Sequence, residues 1–256
     1  MVMKKGFWII LCMFFIPPVT FAGNMKLHYD RPAEYFEEAL VIGNGTMGAT
    51  LYGGVKKDKI SFNDITLWTG EPESENSSPD AFNTIPEIRA LLDNEDYQGA
   101  DKAQYKVQGH YSENYQPLGT LTIEYLDDTV GISDYHRWLD IGNATARTQY
   151  LKGGKLFTSD YFASAPDSVI VIRLKSENKE GIYALLSFDS PLPHSSQVAD
   201  NEISVEGYAA YHSFPVYYKA EDKHRYDPER GIHFKTLVRV LSVDGRVKNR
   251  YSDSRI

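Results

Sequence analysis

The stretch Ala39-Leu40-Val41-Ile42-Gly43-Asn44-Gly45-Thr46-Met47-Gly48-Ala49-Thr50-Leu51-Tyr52-Gly53-Gly54-Val55 decides the fold class. Its middle matches G-x-G-x-x-G, follows an apolar run and has Asp64 downstream, which on paper is a dinucleotide-binding signature. That signature works only if a helix opens at the third glycine, so that its first amide groups face a pyrophosphate. Here β-type residues and the Gly53-Gly54 pair come next instead. The stretch therefore predicts an antiparallel hairpin with a glycine-rich tip. Extra glycine costs conformational entropy, so close approach of another backbone, or of a ligand, is one expected reason for it.

The rest of the chain extends the same pattern. Short runs rich in β-branched and aromatic residues, bounded by Gly, Asn, Asp or Pro, predict strands at 39–42, 49–55, 59–63, 119–126, 135–141 and 144–151. Others follow at 155–163, 168–174, 182–189, 202–206 and 233–242. The run Thr145 to Tyr150, Gly153-Gly154, then Leu156 to Ser164 reads as one hairpin with a glycine turn. Such spacing predicts a mainly β chain of stacked antiparallel sheets, a large sandwich. One helical interruption is expected near 84–108: Thr84 as a cap with Pro86 in the first turn and Ile88, Leu91 and Leu92 on one face, then Asn94 capping a second helix. Glu71 to Asp80 reads as a loop, and no repeat or inter-domain linker is visible.

Composition narrows the chemistry. The formal charge is −8 and the pI about 5.4, whereas phosphate binding needs clustered Lys and Arg, so nucleic acid is not an expected partner. The N-terminus carries Lys4-Lys5, ten apolar residues from Phe7 to Ile16, and Thr20-Phe21-Ala22. This is the form of a secretory signal cut after Ala22, giving a domain of 23–256. The apolar run falls short of the roughly 20 residues a spanning helix needs, so no stable membrane span is expected. The lone cysteine, Cys12, lies inside the signal, which leaves no disulfide and no cysteine-based zinc site.

No catalytic apparatus assembles from the remaining motifs. The seven histidines include no helical i, i+4 pair beside a Glu and no H-x-H, so no metal site is expected. There is no G-x-S-x-G elbow. Carboxylate neighbours such as Glu37-Glu38 and Asp127-Asp128 fit solvated faces as well as glycosidase acids. The 18 tyrosines, with Trp68 and Trp138, fit either stacking on sugar C–H faces or ordinary sheet packing.

The opening stretch gains weight when joined to Ile60-Ser61-Phe62-Asn63-Asp64-Ile65-Thr66-Leu67-Trp68-Thr69-Gly70-Glu71-Pro72. Further blocks follow in order: Pro86 to Arg89, Tyr115-Gln116-Pro117-Leu118-Gly119, Tyr135-His136-Arg137-Trp138-Leu139-Asp140, Phe162 to Asp167 before Val169 to Leu174, and Gly231 to Phe234. Together they resemble the N-terminal β-sandwich of family 95 glycoside hydrolases, the inverting α-L-fucosidases and relatives, from about Ala33 onward. Thr46 and Ile65 depart mildly from that pattern.

The resemblance implies an exported glycosidase acting on glycans that end in α-L-fucose or a related sugar, without a cofactor. It places the acid and base in a following (α/α)6 barrel, whose blocks do not occur here, so the chain is expected to be a sandwich incomplete at its C-terminus and inactive alone. Asn44, Asn63, Asp64 and Trp68, with Tyr115 and Gln116 behind them, are the candidate sugar contacts. A free carbohydrate-binding sandwich and a structural module docking on a separate barrel stay open beside this reading.

Overall fold

The computed structural model describes residues 25–72, 80–109, 112–127, 131–242 and 245. The predicted signal and its cleavage point lie outside these residues. Along the chain run β1 (Lys26–Tyr29), β2 (Leu40–Gly43), β3 (Met47–Leu51), β4 (Lys57–Asp64), α1 (Ala81–Asp93), α2 (Tyr97–Gln104), β5 (Gly119–Tyr125) and β6 (Ile132–Asp140). Then come β7 (Thr145–Lys152), β8 (Lys155–Ser164), β9 (Val169–Ser176), β10 (Ala184–Asp189), β11 (His194–Ala199), β12 (Glu202–Tyr208), β13 (His212–Ser213), β14 (His224–Arg225) and β15 (His233–Arg239).

Two five-stranded antiparallel sheets, ordered β1-β6-β7-β8-β9 and β10-β5-β4-β3-β2, face each other. Period-two burial explains why they stack: in β5 Leu121, Ile123 and Tyr125 point inward, and from β7 and β8 Ala146, Tyr150, Phe157 and Tyr161 meet them. Each fully buried large side chain contributes about 1.5–3 kcal/mol. A third sheet, β11-β12-β15, joins the same core through Ile203 and Val205. A two-stranded ribbon pairs β13 with β14. These are the antiparallel stacked sheets the sequence predicts.

The opening stretch is a hairpin, with β3 starting at Met47 where a nucleotide-binding fold would place a helix. Its glycines have two causes. Gly45 sits at φ +94 with open space around it, so backbone conformation alone demands it. At Gly54 a Cβ would lie 2.0 Å from the Lys57 carbonyl oxygen, so close backbone approach demands that one.

The helical pair differs from expectation in its caps. α1 begins at Ala81, after Asp80, and Thr84 lies inside it with Oγ1 donating to the Asp80 carbonyl at 3.0 Å. Pro86 therefore sits within the helix beyond its first turn. Asn94 closes α1, while Asp96 caps α2 by accepting from the Gly99 amide at 2.9 Å. At α2 the short Asp96 carboxylate, placed immediately outside the helix, reaches the free amides of the first turn, the position that Asn94 lies too far back to fill. The sequence pattern also misses β1, which is exposed throughout, and β11, His194–Ala199, which is mostly polar.

Two charged groups are buried between the layers. Asp58 accepts from the Gly54 amide at 2.9 Å and from the Tyr161 hydroxyl at 2.8 Å. Arg137, on β6, donates from Nε to the Arg31 carbonyl at 2.7 Å and from Nη1 to the Glu38 carbonyl at 2.8 Å. Its guanidinium lies 4.2 Å from the Tyr29 ring centroid. Arg137 thus fastens the segment between β1 and β2 to the first sheet. Tyr135 adds a bond from its hydroxyl to the Gly53 carbonyl at 2.6 Å, joining the two sheets at that turn.

Candidate functional site

At one end of the second sheet the hairpin tip, the segment after β4 and the segment before β5 meet. Asn44 organises the tip: Oδ1 accepts from the Thr46 and Met47 amides at 3.0 and 2.8 Å, and Nδ2 donates to the Ser164 carbonyl of β8 at 2.9 Å. Both ends of its carboxamide are engaged. Asn44→Ala is therefore expected to destabilise the domain by about 1–2 kcal/mol, read as a shift in urea midpoint; an unchanged midpoint would show that the turn holds itself.

Asn63 likewise bridges strands, accepting from the Leu118 amide and donating to the Asp64 carbonyl, each at 3.1 Å. Asp64 closes the next turn through Oδ1, which accepts from the Thr66 amide at 2.9 Å and the Thr66 hydroxyl at 2.6 Å. The Ile65 amide donates to the Thr46 carbonyl at 2.9 Å, so this turn is bound to the hairpin tip.

From there the chain alternates. Leu67 is buried in a small cluster with Leu192 and Ala209, which turns Trp68 outward. Trp68 pairs with Tyr115 in a single antiparallel bridge, and their rings meet edge to face with centroids 6.2 Å apart. Trp68 is 42% exposed and Tyr115 50% exposed, so together they form an aromatic ledge. The indole Nε1 donates to the Ile65 carbonyl at 3.0 Å, which fixes the ring. Gln116 is buried beneath: its amide donates to the Leu67 carbonyl at 3.0 Å and its side chain to the Tyr115 carbonyl at 3.2 Å. Partial burial raises the Tyr115 phenol above its ordinary pKa, so the ledge stays uncharged at neutral pH. All six residues singled out from sequence gather at this end, and only Trp68 and Tyr115 present large exposed faces.

Beside the ledge lies a cluster that sequence reading misses. The Glu113 carboxylate takes hydrogen bonds from the Thr69 hydroxyl and, at 3.0 Å, the Ser213 amide, and its other oxygen lies 2.8 Å from His212 Nδ1. Asn114 reaches the Ser213 carbonyl at 3.1 Å, and Ser213 Oγ lies 2.8 Å from His224 Nδ1. Ser213 is buried, so its hydroxyl is a strut rather than an exposed nucleophile. The only sequence signal was the position of Glu113-Asn114 directly before Tyr115-Gln116; His212 is 99 residues further on. Arg230 completes the rim by pairing with Glu71 and lying 3.6 Å from the Tyr211 ring centroid.

Chemically, the arrangement offers apolar ring faces beside fixed polar groups, the combination that suits a ligand with both C–H faces and hydroxyls. Among the described residues no group of three or more His, Cys, Asp or Glu could hold a metal ion, and no helix is long and apolar enough to cross a membrane.

Fold and site together define an antiparallel β-sandwich domain with a helical excursion and an aromatic ledge at one sheet end. A family model described as glycosyl hydrolase family 65, N-terminal domain, matches residues 27–255. The chain belongs to that family. It is 31% identical over 228 residues to alpha-L-fucosidase 2 of Arabidopsis thaliana, covering 86% of this chain and 27% of that protein. It is 29% identical over 211 residues to probable alpha-fucosidase A of Aspergillus niger, covering 77% of this chain and 26% of that protein. The chain thus spans about a quarter of the length of these curated relatives. The matches agree with the resemblance to the N-terminal domain of family 95 enzymes.

Proposed function

We propose that this chain is the non-catalytic N-terminal β-sandwich of an exported glycosidase resembling the inverting α-L-fucosidases. In this reading the Trp68–Tyr115 ledge forms one wall of the glycan site. The observation that carries it is the match to α-fucosidases over most of this chain and about a quarter of theirs. The carboxylates near the ledge support it, since Asp64 closes a turn and Glu113 takes three bonds from the protein. Inverting hydrolysis needs an acid and a base on opposite faces of the sugar with room for water between them, and an (α/α)6 barrel would bring that pair. The substrate class is a glycan ending in α-L-fucose or a related sugar. The basic, apolar and small-residue pattern of residues 1–22 supports export.

Purified protein incubated with an aryl α-L-fucoside is expected to give no turnover above buffer. Hydrolysis proportional to protein concentration and lost in Glu113→Gln would overturn the non-catalytic assignment. Expression of the full sequence should yield secreted or periplasmic protein beginning at Gly23, and retention of residues 1–22 on cytoplasmic protein would count against export. The exposed ledge also favours a second reading, a free carbohydrate-binding sandwich, for which the expected sign is an affinity of the isolated chain for a fucosylated oligosaccharide at least about a hundredfold tighter than for a simple fucoside.

A further inference from the structure

We propose that Glu113 and His212 form a hydroxyl-reading pair for a neutral pyranoside stacked on the Trp68–Tyr115 ledge, an inference that rests on the reading of this end as a glycan wall. The pair is built like an oriented imidazole. Glu113 is held by the Thr69 hydroxyl and the Ser213 amide, which leaves its other oxygen aimed at His212 Nδ1 at 2.8 Å. A carboxylate can only accept, so Nδ1 carries the proton and, in the neutral ring, the lone pair sits on Nε2. Nε2 has no hydrogen-bond partner among the described residues, and the His212 side chain is 24% exposed. Phe214 meets the imidazole edge to face at 4.5 Å between centroids and limits its rotation. The outcome is a fixed acceptor open to a ligand hydroxyl.

The acceptor and the ledge belong to one unit. Glu113 stands two residues before Tyr115, and Thr69 follows Trp68. The Thr69 amide donates to the Asn114 carbonyl at 2.7 Å, the Asn114 amide to Thr69 Oγ1 at 2.8 Å, and the Asn114 side chain to the Ser213 carbonyl at 3.1 Å. Stacking surface and acceptor are therefore placed relative to each other before any ligand arrives, which reduces the ordering cost of binding. A pyranoside has the matching division, a face of C–H groups for an aromatic ring and hydroxyls at its rim. A purely structural staple would need the Glu113 bonds but would have no use for an open Nε2.

The test is a titration of the 15N-labelled protein with methyl α-L-fucopyranoside, following amide shifts and the His212 ring nitrogens. The free protein should show the Nδ1–H tautomer, and saturation should move the Nε2 resonance upfield as it accepts a hydroxyl. His212→Phe should weaken binding about five- to tenfold, the scale of one lost hydrogen bond, in a protein that still melts cooperatively, lowered by the one bond Glu113 loses while it keeps those from Thr69 and Ser213. His212→Gln, which restores an acceptor, should recover part of the affinity, and Trp68→Ala should weaken binding independently. If Trp68→Ala weakens binding while Nε2 stays unmoved at saturation and His212→Phe binds as the parent does, the glycan wall stands and the hydroxyl-reading pair falls. If the parent shows no shifts at about 50 mM sugar, far above a millimolar dissociation constant, the wall and the pair both fall.

Discussion

Arg137→Met is expected to lower the unfolding free energy by about 3 kcal/mol, and Arg137→Ala by about 4 kcal/mol. The guanidinium is 1% exposed and is held by two main-chain carbonyls rather than by a carboxylate. Removing it leaves the Arg31 and Glu38 carbonyls without their donors, and each unsatisfied buried group costs about 1–3 kcal/mol. Both variants lose the guanidinium's contact with the Tyr29 ring; the Met variant keeps the aliphatic length, while the Ala variant adds a cavity. The break would be local first. Residues 29–38 are held to the first sheet by this side chain, so their amides should exchange faster while those of β7 and β8 keep their protection. Urea melts read the global effect and hydrogen exchange the local one. A Met variant with the parent midpoint and parent exchange at 29–38 would show that the segment is held by something else.

The second large effect is a stability that rises on mild acidification. Burial pushes the Asp58 carboxyl up from 3.8 to about 6, against the bonds from the Gly54 amide and the Tyr161 hydroxyl, which favour the charged form. In the unfolded chain the group titrates near its ordinary value. Between those two values the folded protein holds a proton that the unfolded protein has released, so unfolding releases a proton and acidification favours the fold. The contribution is a penalty at neutral pH, shrinks as pH falls through 6, and is relieved near pH 4, for a gain of up to about 3 kcal/mol. Other carboxylates oppose it further down. Asp140 is held below its ordinary value by Asn143, burial acting against this, and in Asp160 burial is overcome by the bonds from Arg147 and Arg173. Groups shifted down stabilise above their unfolded values and lose that contribution as they protonate in the folded state, so stability should turn over below about pH 4.5. Thermal melts from pH 4 to pH 8 should therefore peak near pH 4.5. Asp58→Asn should flatten the slope between pH 5 and pH 7, at some cost in stability because its amide presents donors to backbone N–H groups. A parent midpoint that climbs steadily from pH 4 to pH 7 would overturn the assignment.

Where a strand has one face in the core, its sequence announces it. Gly119–Tyr125 alternates buried and half-buried residues along its whole length, and Thr145–Lys152 with Lys155–Ser164 does the same around a glycine turn at φ +55 and +73. The G-x-G-x-x-G match could be declined on local grounds, because the residues after Gly48 favour a strand. Lys26–Tyr29 and His194–Ala199 could not be read that way, since both lie at sheet edges with little or no buried face and owe their strand conformation to pairing with β6 and β12. The helix caps moved because several polar residues near each start compete for the same free amides.

The sequence alone determined the class of this protein: a mainly β chain of stacked antiparallel sheets with a helical interruption. That much follows from patterns repeating every two residues and from turn chemistry acting within a few residues. The tertiary structure brought Asn44, Asn63, Asp64, Trp68, Tyr115 and Gln116 to one end and decided their roles there. It turned Trp68 and Tyr115 outward, assigned Asn44, Asn63 and Asp64 to holding the turns, and brought Glu113 to His212 across 99 residues. Side-chain direction at a loop depends on which neighbouring segment buries the residue beside it, and here Leu192, Ala209 and Ser213, from the far half of the chain, make that choice.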